Sequence, residues 1–282
     1  MTSHNYIINR IEKRKKEFKE LKDIKIIVAT HKKYQMPKDD VYIPLQVGKE
    51  GKETLGYEED NKGNNISAKN PYFCELTGLY WAWKNLKADY IGLAHYRRHF
   101  TIAKKIPKNE NEKFKYILNK NDIEKILENA NIILPKKRNY YIENLYSHYE
   151  HTMYIEPLDE TRRIIEEKYP EYIEEFDKIH KRTSAHMFNM FIMKKDILDK
   201  YCEWLFDILF ELEKRIDVTK YDAFHARFFG RVSELLLDVW INKNNINYEE
   251  VKIMDMQNIN WIKKGTSFLL AKFTGKKYGK SF

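Results

Sequence analysis

Cysteine is scarce in this chain. There are two, Cys74 and Cys202, and no Cys-x-x-Cys spacing. That excludes a zinc knuckle and a disulfide framework, and it fits a reducing, cytoplasmic setting. Glycine (10) and proline (7) are few in 282 residues, which excludes collagenous and low-complexity chains. Long apolar runs are also missing. No window approaches the roughly 18 uninterrupted apolar residues of a membrane span. The opening stretch MTSHNYIINRIEKRKKEF lacks the apolar centre of a signal peptide. No P-loop, no Gly-x-Gly-x-x-Gly after a strand, no His-Glu-x-x-His and no Gly-x-Ser-x-Gly occurs, which argues against kinase and simple dehydrogenase chemistry.

What is present is a chain with 43% apolar and 14% aromatic residues, enough for one large folded domain rather than disorder. Its formal charge is +9, with a pI near 9.1. Nucleic acid, an anionic membrane surface or a phosphorylated small molecule would each suit that charge, and so would a merely lysine-rich composition.

Hydrophobic periodicity divides the chain. A charged helix is expected over residues 6–22, within an N-terminal unit of residues 1–23. IKIIVAT (24–30) is apolar on both faces, as in a buried parallel strand. VYIPLQV (41–47) is a second strand, pushed toward an edge by Pro44. Residues 48–65 are polar, contain four glycines and form a long loop. NPYFCELTGLYWAWKNL (70–86) is a buried helix capped by Asn70, with Pro71 in its first turn. Strands follow at 89–96, 131–135, 186–195 and 250–256. Helices are expected near 121–130 (capped by Asn121 or Asp122), over 160–180 with a break at Pro170, over 195–216 and over 224–241. Strands alternating with helices predict an α/β fold with a mostly parallel sheet. Ligands in such sheets bind beyond the carboxyl ends of the strands. Thr30 and His31 end the first strand there. His95, Tyr96, Arg97 and Arg98 end the third, within DYIGLAHYRRHF.

Arginines at a strand end suit bidentate recognition of phosphate. They equally suit a turn whose arginines pair with nearby acids. Glu75 lies inside a buried helix and must be paired, protonated or solvated. In NNISAKN, the amides of Asn65 and Asn70 and the hydroxyl of Ser67 suit sugar hydroxyls or plain helix capping. His186 and Asn189 interrupt an apolar run on opposite faces. Gly230 inside a helix costs about 1 kcal/mol relative to Ala, so a close neighbour is expected there. Arg227 and Glu234 share a face of that helix, as substrate groups or as an ion pair. His148 and His151 form a weak candidate metal pair.

NISAKNPYFCELTGLYWAWKN, IGLAHYRRHF, YPEYIEEFDKIH, FNMFIMKKDILDKYCEWLFDIL and ARFFGRVSELLLDVWI, in this order, resemble a family of bacterial glycosyltransferases. That family, long known only as a domain of unknown function, comes from capsule, exopolysaccharide and O-antigen gene clusters. The resemblance covers roughly residues 24–256. It implies a GT-A-like fold, a nucleotide-diphosphate sugar donor (galactose or galactofuranose on UDP as first guess) and a growing surface polysaccharide as acceptor. Related enzymes end the corresponding strand in Asp-x-Asp, which holds a divalent metal such as Mg or Mn. Here His95, Tyr96 and Arg97 stand in its place, so no metal site is carried over. Donor contacts are then expected from Thr30, His31, Asn65, Ser67, Asn70, Glu75, His95, Tyr96 and Arg98. Arg97 would stabilise the leaving diphosphate. Glu234 or Asp222, with Glu75 third, would be the base. His186, Asn189, Arg227 and His151 would meet the sugar or acceptor.

After Asp255 the sequence has six lysines and no acid, mixed with Trp261, Phe268 and Phe273. This tail, residues 257–282, suits an anionic membrane bearing a lipid-linked acceptor, with the protein peripheral at its cytoplasmic face. A disordered soluble tail fits as well. Two other functions compete: a degenerate transferase fold that only binds sugar nucleotides, and a nucleic-acid-binding protein. No RNP, KH or helix-turn-helix pattern supports the second, so nucleic acid is not an expected partner.

Overall fold

The computed structural model describes residues 23–257. But for Asp23 and Gln257, the N-terminal charged helix and the basic tail lie outside them. Ten strands are described: β1 Ile24–Thr30, β2 Tyr42–Gln46, β3 Glu58–Glu59, β4 Tyr90–His95, β5 Arg98–Thr101, β6 Ile132–Pro135, β7 Arg138–Asn139, β8 Ser184–Ala185, β9 Phe191–Lys194 and β10 Tyr248–Asp255. The described helices are α1 Asn70–Phe73, α2 Leu76–Asn85, α3 Glu110–Lys113, α4 Lys120–Leu127, α5 Leu145–Thr152, α6 Glu156–Lys168, α7 Ile173–His180, α8 Lys195–Arg215 and α9 Phe228–Lys243. Among the described residues, no helix is long and apolar enough to cross a membrane.

The main sheet runs β3-β2-β1-β4-β5-β10-β6-β9, and β9 pairs back onto β4. The chain is therefore α/β, as expected, but the sheet is mixed rather than mostly parallel. The β1–β2, β1–β4, β2–β3 and β6–β10 pairs are parallel. The pairs β4–β5, β4–β9, β6–β9 and β5–β10 are antiparallel. β1 is buried on both faces because its alternate residues feed different cores. Ile27 and Ala29 pack in the large helical core with α2, α8 and α9. Ile24, Ile26 and Val28 pack in a smaller core with β5, β10 and α4. Gly92 on β4 is required by a close approach, since a Cβ there would lie 3.0 Å from the Phe191 carbonyl oxygen of β9.

Three local expectations are corrected, and the one for Pro44, a place toward an edge, holds. Pro44 lies inside the sheet, opposite Val28, but β3 pairs only with Leu45 and Gln46, so no ladder on that side needs a proline N–H. The expected helix over 70–86 is broken at Cys74, whose backbone turns to φ 53°. The cap of α4 is Asn119, in a capping box with Asp122. The run from 186 is strand only from Phe191, because Phe188 and Asn189 take φ of 77° and 52°.

Candidate active site

β4 leaves the sheet at His95 and returns as β5 at Arg98, the two residues forming one rung, so HYRRH is a hairpin end. The rung explains why the cluster follows an apolar run: the turn is where the chain reaches the carboxyl edge of β1 and β4. His95 Nε2 lies 2.7 Å from the Phe188 carbonyl oxygen. A carbonyl only accepts, so Nε2 carries the proton and Nδ1 keeps its lone pair. Burial lowers the His95 pKa; Arg98 and Arg97 lower it further, against the pull of Glu75. The ring is neutral. Tyr96 is buried and stands edge-on to His31 at 5.4 Å, so it orders its neighbour rather than facing a ligand.

The two arginines differ. Arg98 Nε donates to Asp255 Oδ1 at 3.0 Å, and its guanidinium lies 4.3 Å from the Phe188 ring centroid. That Nε bond ties Arg98 to β10. Arg97 makes no ion pair among the described residues; its guanidinium rests 5.4 Å from the Tyr96 ring. His31 is exposed, and its pKa is lowered by partial burial and then by Lys32, Arg97, Arg227 and Lys52. Those cations share one neighbourhood, at the carboxyl ends of β1 and β4. Thr30 is buried and serves the turn, its hydroxyl donating to the Lys32 carbonyl at 2.7 Å.

Glu75 stands between α1 and α2, near enough to act electrostatically on His95 and Arg227. Its Oε1 accepts a hydrogen bond from Asn189 Nδ2 at 2.7 Å. The same Asn189 amide donates to the Gly230 carbonyl at 3.1 Å. A Cβ on Gly230 would stand 3.7 Å from Glu75 Oε1, so this carboxylate is the close neighbour that the helix glycine faces. Three non-glycine residues around Glu75 have positive φ: Cys74, Phe188 and Asn189. Each such residue costs on the order of 1–3 kcal/mol and persists only where its surroundings over-determine it. Here the strain aims two side chains at each other. The Phe188 carbonyl holds His95, and the next residue holds Glu75.

α9 supplies the rest. Arg227, just before it, is exposed, and its Nε donates to Cys74 Sγ at 2.9 Å. Burial, and secondarily Glu75, pushes the Cys74 thiol up to about 11, so it remains a neutral thiol. Arg231 lies 3.5 Å from Glu234. Burial raises the Glu234 pKa, and Glu75 raises it further, while Arg231, Arg98 and Arg138 oppose the shift. Glu75, Glu234, His95, Arg97, Arg227 and Arg231 thus form one electrostatic group.

Other expected residues are placed elsewhere. Asn65 Nδ2 donates to the carbonyls of Asn61 and Gly63. Ser67 donates to the buried carboxylate of Asp60. Asn70 donates to the Cys74 carbonyl at 2.7 Å and to Thr77 Oγ1 at 3.2 Å. All three make these bonds within the 48–69 loop and its helix. His186 is fully buried, with Nδ1 on Asp238 and Nε2 3.0 Å from Glu250 Oε1, and so braces the 186–190 turn. Asp222 caps the turn before α9, accepting from Phe224 N at 2.8 Å and from His225 Nδ1 at 2.6 Å. Those bonds hold its carboxyl below the usual range, which makes it a poor base. His148 and His151 both turn Nδ1 to buried Glu143, at 3.3 and 2.8 Å. Arg231 was missed, although a helical count from Arg227 places it one turn on. Asp60 and the strained residues left no local signal, because positive φ is usually flagged by glycine.

A divalent cation does not fit the edge where Asp-x-Asp would stand. It offers the imidazoles of His31 and His95 beside guanidinium groups, and among the described residues no three His, Cys, Asp or Glu side chains could hold a metal ion.

A chain with a mixed α/β sheet and a cationic, carboxylate-bearing site at its strand ends can now be placed. It belongs to the family described as "Domain of unknown function (DUF4422)", whose model matches residues 25–245. This agrees with the motif resemblance. Among solved structures it is similar to the apo form of the WbbM bifunctional glycosyltransferase, with 33% identity, a TM-score of 0.77 and 84% of this chain covered. The chain spans 46% of that protein. No curated protein matches significantly.

Proposed function

We propose that this chain is a GT-A-like glycosyltransferase that holds the diphosphate of a nucleotide sugar with arginine rather than with a metal. The observation that carries this is Arg97: a guanidinium at the carboxyl edge of β1 and β4, without an ion-pair partner among the described residues, resting on the Tyr96 ring that His31 also meets. Similarity to a glycosyltransferase over most of the chain supports the reaction class.

In this reading Arg97 and Arg227 meet the diphosphate oxygens, where negative charge grows as the glycosidic bond breaks. Glu75 is the base: half-buried, fixed by Asn189 and within reach of the charges of Arg227 and Arg231. An acceptor hydroxyl attacks the anomeric carbon, its proton goes to Glu75, and the bonding pair leaves with the nucleoside diphosphate. Glu234 sits behind, buried, and holds Arg231 in place. UDP-galactose or UDP-galactofuranose is the first donor to try, with a lipid-linked surface polysaccharide as acceptor. The basic residues 257–282 would keep the enzyme at an anionic membrane.

A panel of UDP-sugars incubated with the protein tests this. One donor should be hydrolysed or transferred, and Glu75→Gln should lower that rate by about 100-fold or more. If no donor turns over, the chain is the sugar-nucleotide-binding module that stands as the second reading. Near-normal turnover in Glu75→Gln would remove Glu75 as base.

A further inference from the structure

Next to the site lies a surface that the mechanism above does not use. Between Arg138 and Arg162 the sequence holds five acids and no lysine or arginine, in a protein of net charge +9. The same stretch holds Tyr141 (82% exposed), Ile142 (57%), Tyr154 (44%) and Tyr146 (36%). The rings of Tyr146, Tyr154 and Tyr221 are held by side-chain contacts, and Tyr141 is anchored through its backbone. Tyr141 sits at φ 58°, its amide donating to Asn139 Oδ1 at 2.8 Å, so strained backbone presents this ring to solvent. Tyr146 donates its hydroxyl to Asp159 at 2.9 Å. Tyr221, from before α9, donates to Glu156 at 2.6 Å and stands 5.3 Å from Tyr154.

This surface is continuous with the site at two points. Tyr154 covers His225, with ring centroids 4.8 Å apart, and His225 is two residues from Arg227. His225 donates Nδ1–H to Asp222, which leaves a lone pair on a buried Nε2 that has no hydrogen-bond donor. Tyr140 stacks on His148 at 3.9 Å, and Arg231 acts on both of those groups.

We infer that Tyr141, Tyr146, Tyr154 and Tyr221 form the acceptor subsite, and that the acceptor they take is an uncharged glycan. The inference rests on the transferase reading above. Fixed aromatic faces pack against the C–H face of a sugar ring at little cost in side-chain entropy. Glu143 is buried on His148 and His151, and Glu160 is paired with Arg163 and Arg215. The acids left on this face, Glu150, Glu156 and Asp159, repel an anionic lipid surface, a nucleic acid or an acidic polysaccharide alike, and a neutral sugar carries no charge to oppose them. A sugar hydroxyl entering beside Tyr154 supplies the donor that His225 Nε2 lacks.

Saturation-transfer NMR with lactose and cellobiose as neutral probes tests this on the full chain. Aromatic protons should transfer saturation to the sugar C–H protons. Affinity should fall about tenfold in Tyr154→Ser and in Tyr141→Ser, and return in Tyr154→Phe. Tyr141 is so exposed that its loss cannot unfold the chain, so it keeps the test valid should Tyr154→Ser melt early. Absence of transfer in the wild-type protein, or transfer unchanged in both serine variants, overturns the subsite. So does binding to phosphatidylcholine–phosphatidylglycerol vesicles that the same substitutions abolish. Donor hydrolysis by the wild-type protein, read separately, reports on the transferase reading alone.

Discussion

Two polar regions meet the carboxyl edge of the sheet, and they are built on opposite principles. The 48–69 loop closes on itself around Asp60. That carboxylate is fully buried and accepts from the amides of Gly48 (2.7 Å) and Lys49 (3.0 Å) and from the hydroxyls of Ser67 and Thr77 (2.7 Å). Every nearby side chain that looked suited to a sugar is used inside the loop. The region around Glu75 leaves its groups open. Arg97 has no acid among the described residues, Arg227 is bound only to a thiol, and the backbone at Cys74, Phe188 and Asn189 is strained to keep Glu75 in place. Polar residues at a strand end therefore do not mark a site by their type. What separates the two regions is whether their hydrogen-bonding capacity is met within the fold.

The contrast can be broken by substitution. Asp60→Ala should leave two amides and the Ser67 hydroxyl without an acceptor, the Thr77 hydroxyl keeping the Cys74 carbonyl, at a cost of about 3 kcal/mol or more. In a domain of this size that lowers the melting temperature by roughly 10 °C. Arg97→Ala should leave the melt unchanged and lower turnover. An Asp60→Ala protein that melts like wild type would dissolve the distinction. A smaller effect comes from the hairpin itself. His99 is fully buried, and burial pushes its pKa down to about 3; His180 is pushed down to about 4 in the same way. Unfolded histidine takes up a proton near pH 6.5, whereas these do not. The stability they confer is thus complete above that pH and is lost as pH falls toward 4. His99→Phe should flatten part of the fall in melting temperature between pH 7 and 4. An unchanged slope would remove His99 from that account.

Much of this architecture was legible in the sequence. β1, β4 and α8 are apolar runs or 3.6-residue stripes long enough to be unambiguous, and the HYRRH turn was visible as charge after a buried run. β5 was hidden because it starts inside that cluster and carries a buried histidine. The 186–190 segment read as strand because its residues are apolar, while its backbone is turned by contacts to β4 and α9 that are distant in sequence. The same limit explains the roles of Asn65, Ser67, Asn70 and His186. Their partners Asp60, Cys74, Thr77, Asp238 and Glu250 are chosen by the tertiary fold, and capping or burial looks like ligand binding until those partners are in view.

The central claim is that arginine, not a metal, holds the diphosphate. Titration calorimetry of UDP with the wild-type protein and with Arg97→Ala, each in EDTA and in excess Mg²⁺, tests it most directly. The account predicts wild-type binding that persists in EDTA and weakens at least tenfold in Arg97→Ala under both conditions. Binding that requires Mg²⁺ and is indifferent to Arg97 would contradict it.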